Sequence, residues 1–120
     1  MKINIKRIYE KYSANDGFRI LVDRLWPRGI KKEKAKIDLW LIEIASSDKL
    51  RKWFSHYSSK WQEFKKRYKK EIKENKKIFK KLKEIIKNKK KANLLYSAKD
   101  KKYNNAVVLK EILQKGLKFK

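Results

Sequence analysis

The run DRLWPRG, residues 23–29, gathers the carboxylate of Asp23, the guanidinium groups of Arg24 and Arg28, and the indole of Trp26. A second run, YSAKDKKYNN, residues 96–105, supplies the phenol of Tyr96, the ammonium of Lys99, the carboxylate of Asp100 and the amides of Asn104 and Asn105. Guanidinium is a planar, permanently charged fork that matches carboxylate and phosphate, whereas an ammonium is a point charge. Where the chain places arginine is therefore informative. Arg7, Arg19, Arg24 and Arg28 fall in the first 28 residues beside three lysines, and the other 92 residues hold two arginines and 28 lysines. A chain that uses lysine as its generic cation has kept guanidinium in one segment. Two uses fit: contacts to an anionic ligand, or a buried arginine–aspartate pair with Asp16 or Asp23 as partner. A buried pair accounts for one or two arginines better than for four.

For the two runs to act together, elements must join residues more than 65 positions apart. KINIKRIY, residues 2–9, alternates like a short strand, and SANDG, 13–17, has turn chemistry. FRILVDRLW, 18–26, reads as a strand covered on both faces that ends near Trp26, because Pro27 lacks a donor and Gly29 follows. Residues 31–45 carry Ile37, Trp40, Leu41, Ile44 and Ala45 at helical spacing. Ser46-Ser47-Asp48 can stop that helix and cap the next, through Leu50, Trp53 and Phe54. Ser59 and Gln62 suggest a capping box before a helix to about residue 87, long enough to allow a break near Asn75. ANLLYSAKD, 92–100, reads as a third strand, and Tyr103–Leu113 as a last helix with Gly116 as its C-cap.

Strands joined through helices pair in parallel. The expected class is α/β: one domain over residues 1–120, with a small, mostly parallel sheet of three or more strands and helices packed on it. The direction of the first strand is open. Ligands of open parallel sheets sit beyond the carboxyl ends of the strands. That geometry makes Arg7, Arg24, Arg28 and Lys99 anion contacts and Trp26 a wall, with Asp23, Tyr96, Asp100, Asn104 and Asn105 to orient a ligand or move protons. A purely local alternative has Asn104 capping the last helix and Asp100 pairing with Arg24.

Other chemistries are excluded or weak. There is no cysteine, His56 is the only histidine, and Gly17, Gly29 and Gly116 are too scattered for a phosphate loop. No metal site and no cofactor are expected. The net charge of +24 makes nucleic acid a second partner to consider, bound without sequence preference through lysine-rich helix faces. The aromatic stripe of Trp61, Phe64 and Tyr68, with Leu82 and Ile85, is expected to be core and not a stacking platform. No apolar run approaches a membrane span, and MKINIKRIYEK lacks a secretion signal's apolar centre, so a cytoplasmic location is expected.

Three blocks, LVDRLWPRG, LRKWFSHYSSKWQEFKKRY and LLYSAKDKKYNNAVVLKE, resemble in order and spacing the short-chain, YeaO-like branch of the DUF488 family. The resemblance runs nearly end to end. It implies a small cytoplasmic α/β protein and names no substrate. Longer members carry cysteines and a Cys-His-Arg run where this chain has Tyr96 and Asn104-Asn105, so any chemistry of those cysteines is not carried over.

Overall fold

The fold, a computed structural model describing residues 2–115, is built around one buried strand. In β4, Lys91–Tyr96, every residue after Lys91 is buried. Such a strand must be covered on both faces and paired on both edges. β1, Lys2–Arg7, pairs with one edge and β2, Phe18–Leu21, with the other. A two-residue strand, β3, Leu39–Trp40, pairs with the far edge of β2. The order is β1-β4-β2-β3 and every pairing is parallel, which settles the direction of the first strand. Arg7 stands opposite Tyr96 and Leu21 opposite Leu95, so the strands end together at one edge.

One face carries the main core. Ala92, Leu94 and Tyr96 of β4 meet α3, Trp61–Glu74, α4, Lys76–Lys89, and α5, Asn105–Lys115. Trp61, Phe64, Tyr68 and Leu82 are buried there, and the half-buried Ile85 packs against them. Leu95 points the other way, toward Leu21, Ile8, Ala35, Trp26 and Trp40. The remaining helices are α1, Lys32–Ala35, and α2, Asp48–Phe54. Ser47 caps α2 by accepting from the Leu50 N–H at 3.1 Å, and Asn75 divides the long apolar stripe into α3 and α4. Among the described residues no helix is long and apolar enough to cross a membrane.

Three local expectations are corrected. Residues 31–45 are not one helix: α1 is one turn, Lys36 takes a left-handed conformation, and β3 follows. Their apolar residues serve both clusters, with Ile37 and Trp40 in the smaller and Leu41 and Ile44 in the larger, which one helical face cannot do. β2 stops at Leu21, five residues before Trp26. The Val22 N–H still donates to Leu95 O, but Trp26 turns back to donate to Ile30 O at 2.7 Å and meets Trp40 edge-on at 5.4 Å. α3 begins without the Ser59–Gln62 box: Ser58–Lys60 form a 3-10 turn, and the Lys60 side chain at the cap position makes no capping bond, its Nζ donating instead to Trp53 O at 2.8 Å. The proposed C-cap Gly116 lies outside the described residues.

Candidate functional site

Where the strands end, the chain lines a cleft of about 700 Å³. The end of β1 brings Arg7 and Tyr9, the segment after β2 brings Asp23 to Arg28, and the segment after β4 brings Ser97, Ala98 and Lys99. Asn104 and Asn105 enter from the start of α5, Ala45 and Ser46 from the turn before α2, and Arg51, Phe54 and His56 from α2 and just beyond it. Eight of the residues anticipated from sequence thus come together: Arg7, Asp23, Arg24, Trp26, Arg28, Lys99, Asn104 and Asn105.

Asp23 ties the three segments to one another. Its Oδ2 accepts from the Ser97 N–H and the Ser97 hydroxyl, each at 2.8 Å, and its Oδ1 accepts from Asn105 Nδ2 at 3.2 Å. Asn105 Nδ2 also donates to Val22 O at 2.8 Å, and the Trp40 indole donates to Asp23 O at 2.7 Å. Burial pushes the Asp23 carboxyl above its ordinary range, and the hydrogen bonds from Ser97 and Asn105 only partly offset that.

Two arginines are held in place by backbone carbonyls. Arg7 donates from Nε to Ala98 O at 2.8 Å and from Nη2 to Ser97 O at 3.1 Å, with its guanidinium over the Tyr9 ring. Arg24 donates from Nε to Ser46 O at 2.9 Å. Carbonyls carry no full charge, so both guanidinium charges remain uncompensated by these bonds. Tyr9 steadies the next segment by donating to Arg28 O at 2.8 Å. The Arg28 and Lys99 side chains are exposed and form no ion pair among the described residues.

Two anticipated residues lie elsewhere. Tyr96 is 2% exposed in the main core, and burial raises its phenol pKa. It follows Ala92 and Leu94 on the core-facing side of β4, as strand alternation requires. Asp100 Oδ1 accepts from the N–H groups of Lys102 and Tyr103, at 2.8 and 3.0 Å, and so shapes the loop instead of pairing with Arg24. Asn104 does both jobs: it lines the cleft, and its Oδ1 accepts from Val107 N at 3.1 Å in the first turn of α5. The interior arginine pair exists, but it belongs to Arg19, which bonds Asp16 away from the cleft.

Arg51, His56 and Ser97 escaped the site drawn from sequence. For Arg51 a signal was present, since it is one of only two arginines in the lysine-rich remainder of the chain. Ser97 lacked any visible partner in sequence, and Asp23 is that partner.

A parallel α/β sheet with a cationic cleft along its carboxyl edge defines the class of protein. Within that class the chain belongs to the DUF488 family, matching the model described as the inactive DUF488-N3 subclade over residues 2–120. It is 43% identical to Uncharacterized protein YeaO of Escherichia coli (strain K12), over 95% of this chain and 98% of that protein. It is 38% identical to Uncharacterized protein Rv3073c of Mycobacterium tuberculosis (strain ATCC 25618 / H37Rv), over 59% of this chain and 60% of that one. No solved structure matches the chain.

Proposed function

We propose that this protein binds a small phosphate- or carboxylate-bearing ligand in the cleft at the carboxyl edge of its sheet, acting in the cytoplasm. One observation carries the reading. Four of the chain's six arginines, Arg7, Arg24, Arg28 and Arg51, line that cleft, against a single lysine among the described residues, Lys99. Charge alone would have distributed lysine there too; the selection is for the fork. The description of the subclade as inactive favours binding over turnover.

Non-sequence-specific nucleic-acid binding through the lysine faces is the alternative, and the charge of +24 is its support. It gains nothing from the aromatic stripe, because Trp61, Phe64 and Tyr68 are buried. Arg28→Lys separates the two, since it keeps the charge and removes the fork. Pyrophosphate, citrate and a DNA duplex are titrated into wild type and variant by calorimetry. Small-anion binding is expected to fall about tenfold or more, on the scale of one charge-assisted contact, with duplex binding unchanged. A stably folded Arg28→Lys that binds every probe like wild type would remove the assignment. Mass spectrometry of anions retained by wild type and by Arg28→Ala is the matching unbiased search.

A further inference from the structure

We propose that the ligand of this cleft is an organic anion bearing a hydroxyl or amine donor next to its charged group, a polyol phosphate or a hydroxy acid, and not a bare inorganic ion. The inference rests on the anion-binding reading above and concerns the rest of the ligand. It follows from how the polar capacity of the floor is already committed.

Asp23 accepts hydrogen bonds from three donors, Ser97 N, Ser97 Oγ and Asn105 Nδ2. As a carboxylate it has about four acceptor positions and no hydrogen to give. Ser97 has one hydroxyl hydrogen, and it goes to Asp23 at 2.8 Å. What Ser97 offers the cleft is therefore its oxygen lone pairs. Asn105 spends both Nδ2 hydrogens, on Val22 O and Asp23 Oδ1, which leaves Oδ1 as its free polar atom. The three side chains line one cleft, and all present acceptors. A phosphate or carboxylate oxygen, itself an acceptor, has nothing to gain at such a floor. A hydroxyl or ammonium does.

The same cleft is also lined by cations, Arg7, Arg24, Arg28, Arg51 and Lys99. Arg28 and Lys99, exposed and without an ion-pair partner among the described residues, belong to the loops after β2 and β4. One ligand can satisfy both the cations and the committed acceptors only if its anionic group and its donor are separate groups on one carbon framework. The volume agrees. About 700 Å³ lies in the range of sites for organic molecules and far exceeds what one inorganic ion fills.

The test uses matched probes that differ only in donors: glycerol phosphate against n-propyl phosphate, and glycerate against butyrate, titrated into the full chain. For whichever anion type binds, the hydroxylated member is expected to bind about tenfold tighter or better, because its analogue leaves the floor acceptors without a donor. Asp23→Asn, checked for an intact thermal transition, is expected to reduce that preference to about twofold or less. Arg28→Lys is expected to weaken both members of a pair alike. Equal or tighter binding of propyl phosphate and butyrate by wild type overturns the donor inference and leaves anion binding standing. No binding of any probe overturns both. The wild-type comparison decides the matter even where Asp23→Asn does not fold.

Discussion

Arg19 and Arg28 look alike in sequence and differ in everything the fold does with them. Arg19 is 2% exposed and sits in a closed set of bonds: its guanidinium meets Asp16, Lys36 O and Ala35 O, while Lys6 Nζ reaches the same carboxylate at 3.1 Å. Removing one partner of a buried pair strands the other, at about 3–5 kcal/mol. Arg19→Ala is expected to lose stability on that scale in urea unfolding, toward its lower end because Lys6 remains. Arg28→Ala, exposed and unpaired, should stay within about 0.5 kcal/mol. Asp16 also carries a pH signature. Burial acts to raise its pKa, but hydrogen bonds from Lys6, Ser13 and Arg19 outweigh it and hold the carboxyl below 3.8. A depressed folded pKa contributes stability that is present above 3.8 and lost as pH falls through the folded value. Asp23, with a raised pKa, works in the opposite sense: its contribution is full below 3.8 and fades as pH rises through its folded value. Acid titrations of stability should therefore flatten at the low end in Asp16→Asn. A profile unchanged by that substitution would place the acid sensitivity elsewhere.

At the scale of elements, the entry into β2 depends on a missing side chain. Gly17 has φ +75°, and a Cβ there would lie 2.7 Å from Lys91 O at the start of β4. With ψ −149° it occupies a region that L residues scarcely visit. Gly17→Ala must strain the turn and also push β2 from β4, for about 1–3 kcal/mol or more. Gly29 has φ +79° but nothing within 4 Å of a built Cβ, so Gly29→Ala should cost only the conformational penalty, about 1–2 kcal/mol. Chemical denaturation of both variants checks the order. The start of α2 offers a second comparison. Ser47 caps it and also bonds Glu71 of α3, through Oγ at 2.6 Å and through its N–H at 2.9 Å. Ser47→Ala is expected to exceed the usual cap loss of about 1 kcal/mol, because it also takes a partner from a half-buried carboxylate. α2 carries Arg51 into the cleft, so the same variant should loosen that wall.

Across the whole molecule, the charge of +24 works against folding, since like charges are drawn together in the compact state. Only Lys6, Lys65, Lys69 and Lys115 among the lysines form ion pairs with carboxylates in the described part of the chain. Raising salt from about 0.05 to about 0.5 M shortens the Debye length from ~14 to ~4 Å and is expected to raise the melting temperature. A melting temperature that falls with salt would mean that specific ion pairs outweigh the general repulsion. Any duplex binding should fall steeply over the same range, by about 0.9 log units per log unit of salt for each phosphate neutralised.

The sequence by itself determined what repeats locally. The buried run in ANLLY, the alternation in KINIK and the apolar stripe from Trp61 to Ile86 became β4, β1 and the pair α3–α4, and even the break at Asn75 was legible. Each reflects a period set within one element by its own backbone geometry. The segregated arginines likewise located most of the cleft, because a chain biased to lysine makes each retained guanidinium stand out. Tertiary structure alone decided the rest. β3 is two residues long, too short for any period to show, and exists because Leu39 and Trp40 complete the open edge of β2. Pairing also cut β2 back to Leu21 and sent Trp26 onto Trp40, a choice set by partners distant in sequence. The sorting of the arginines belongs to the same level. Arg19 lies within β2, where Asp16, Ala35 and Lys36 close around it, whereas Arg24 and Arg28 follow the strand's end, where only the joined edge of four parallel strands can make a cleft.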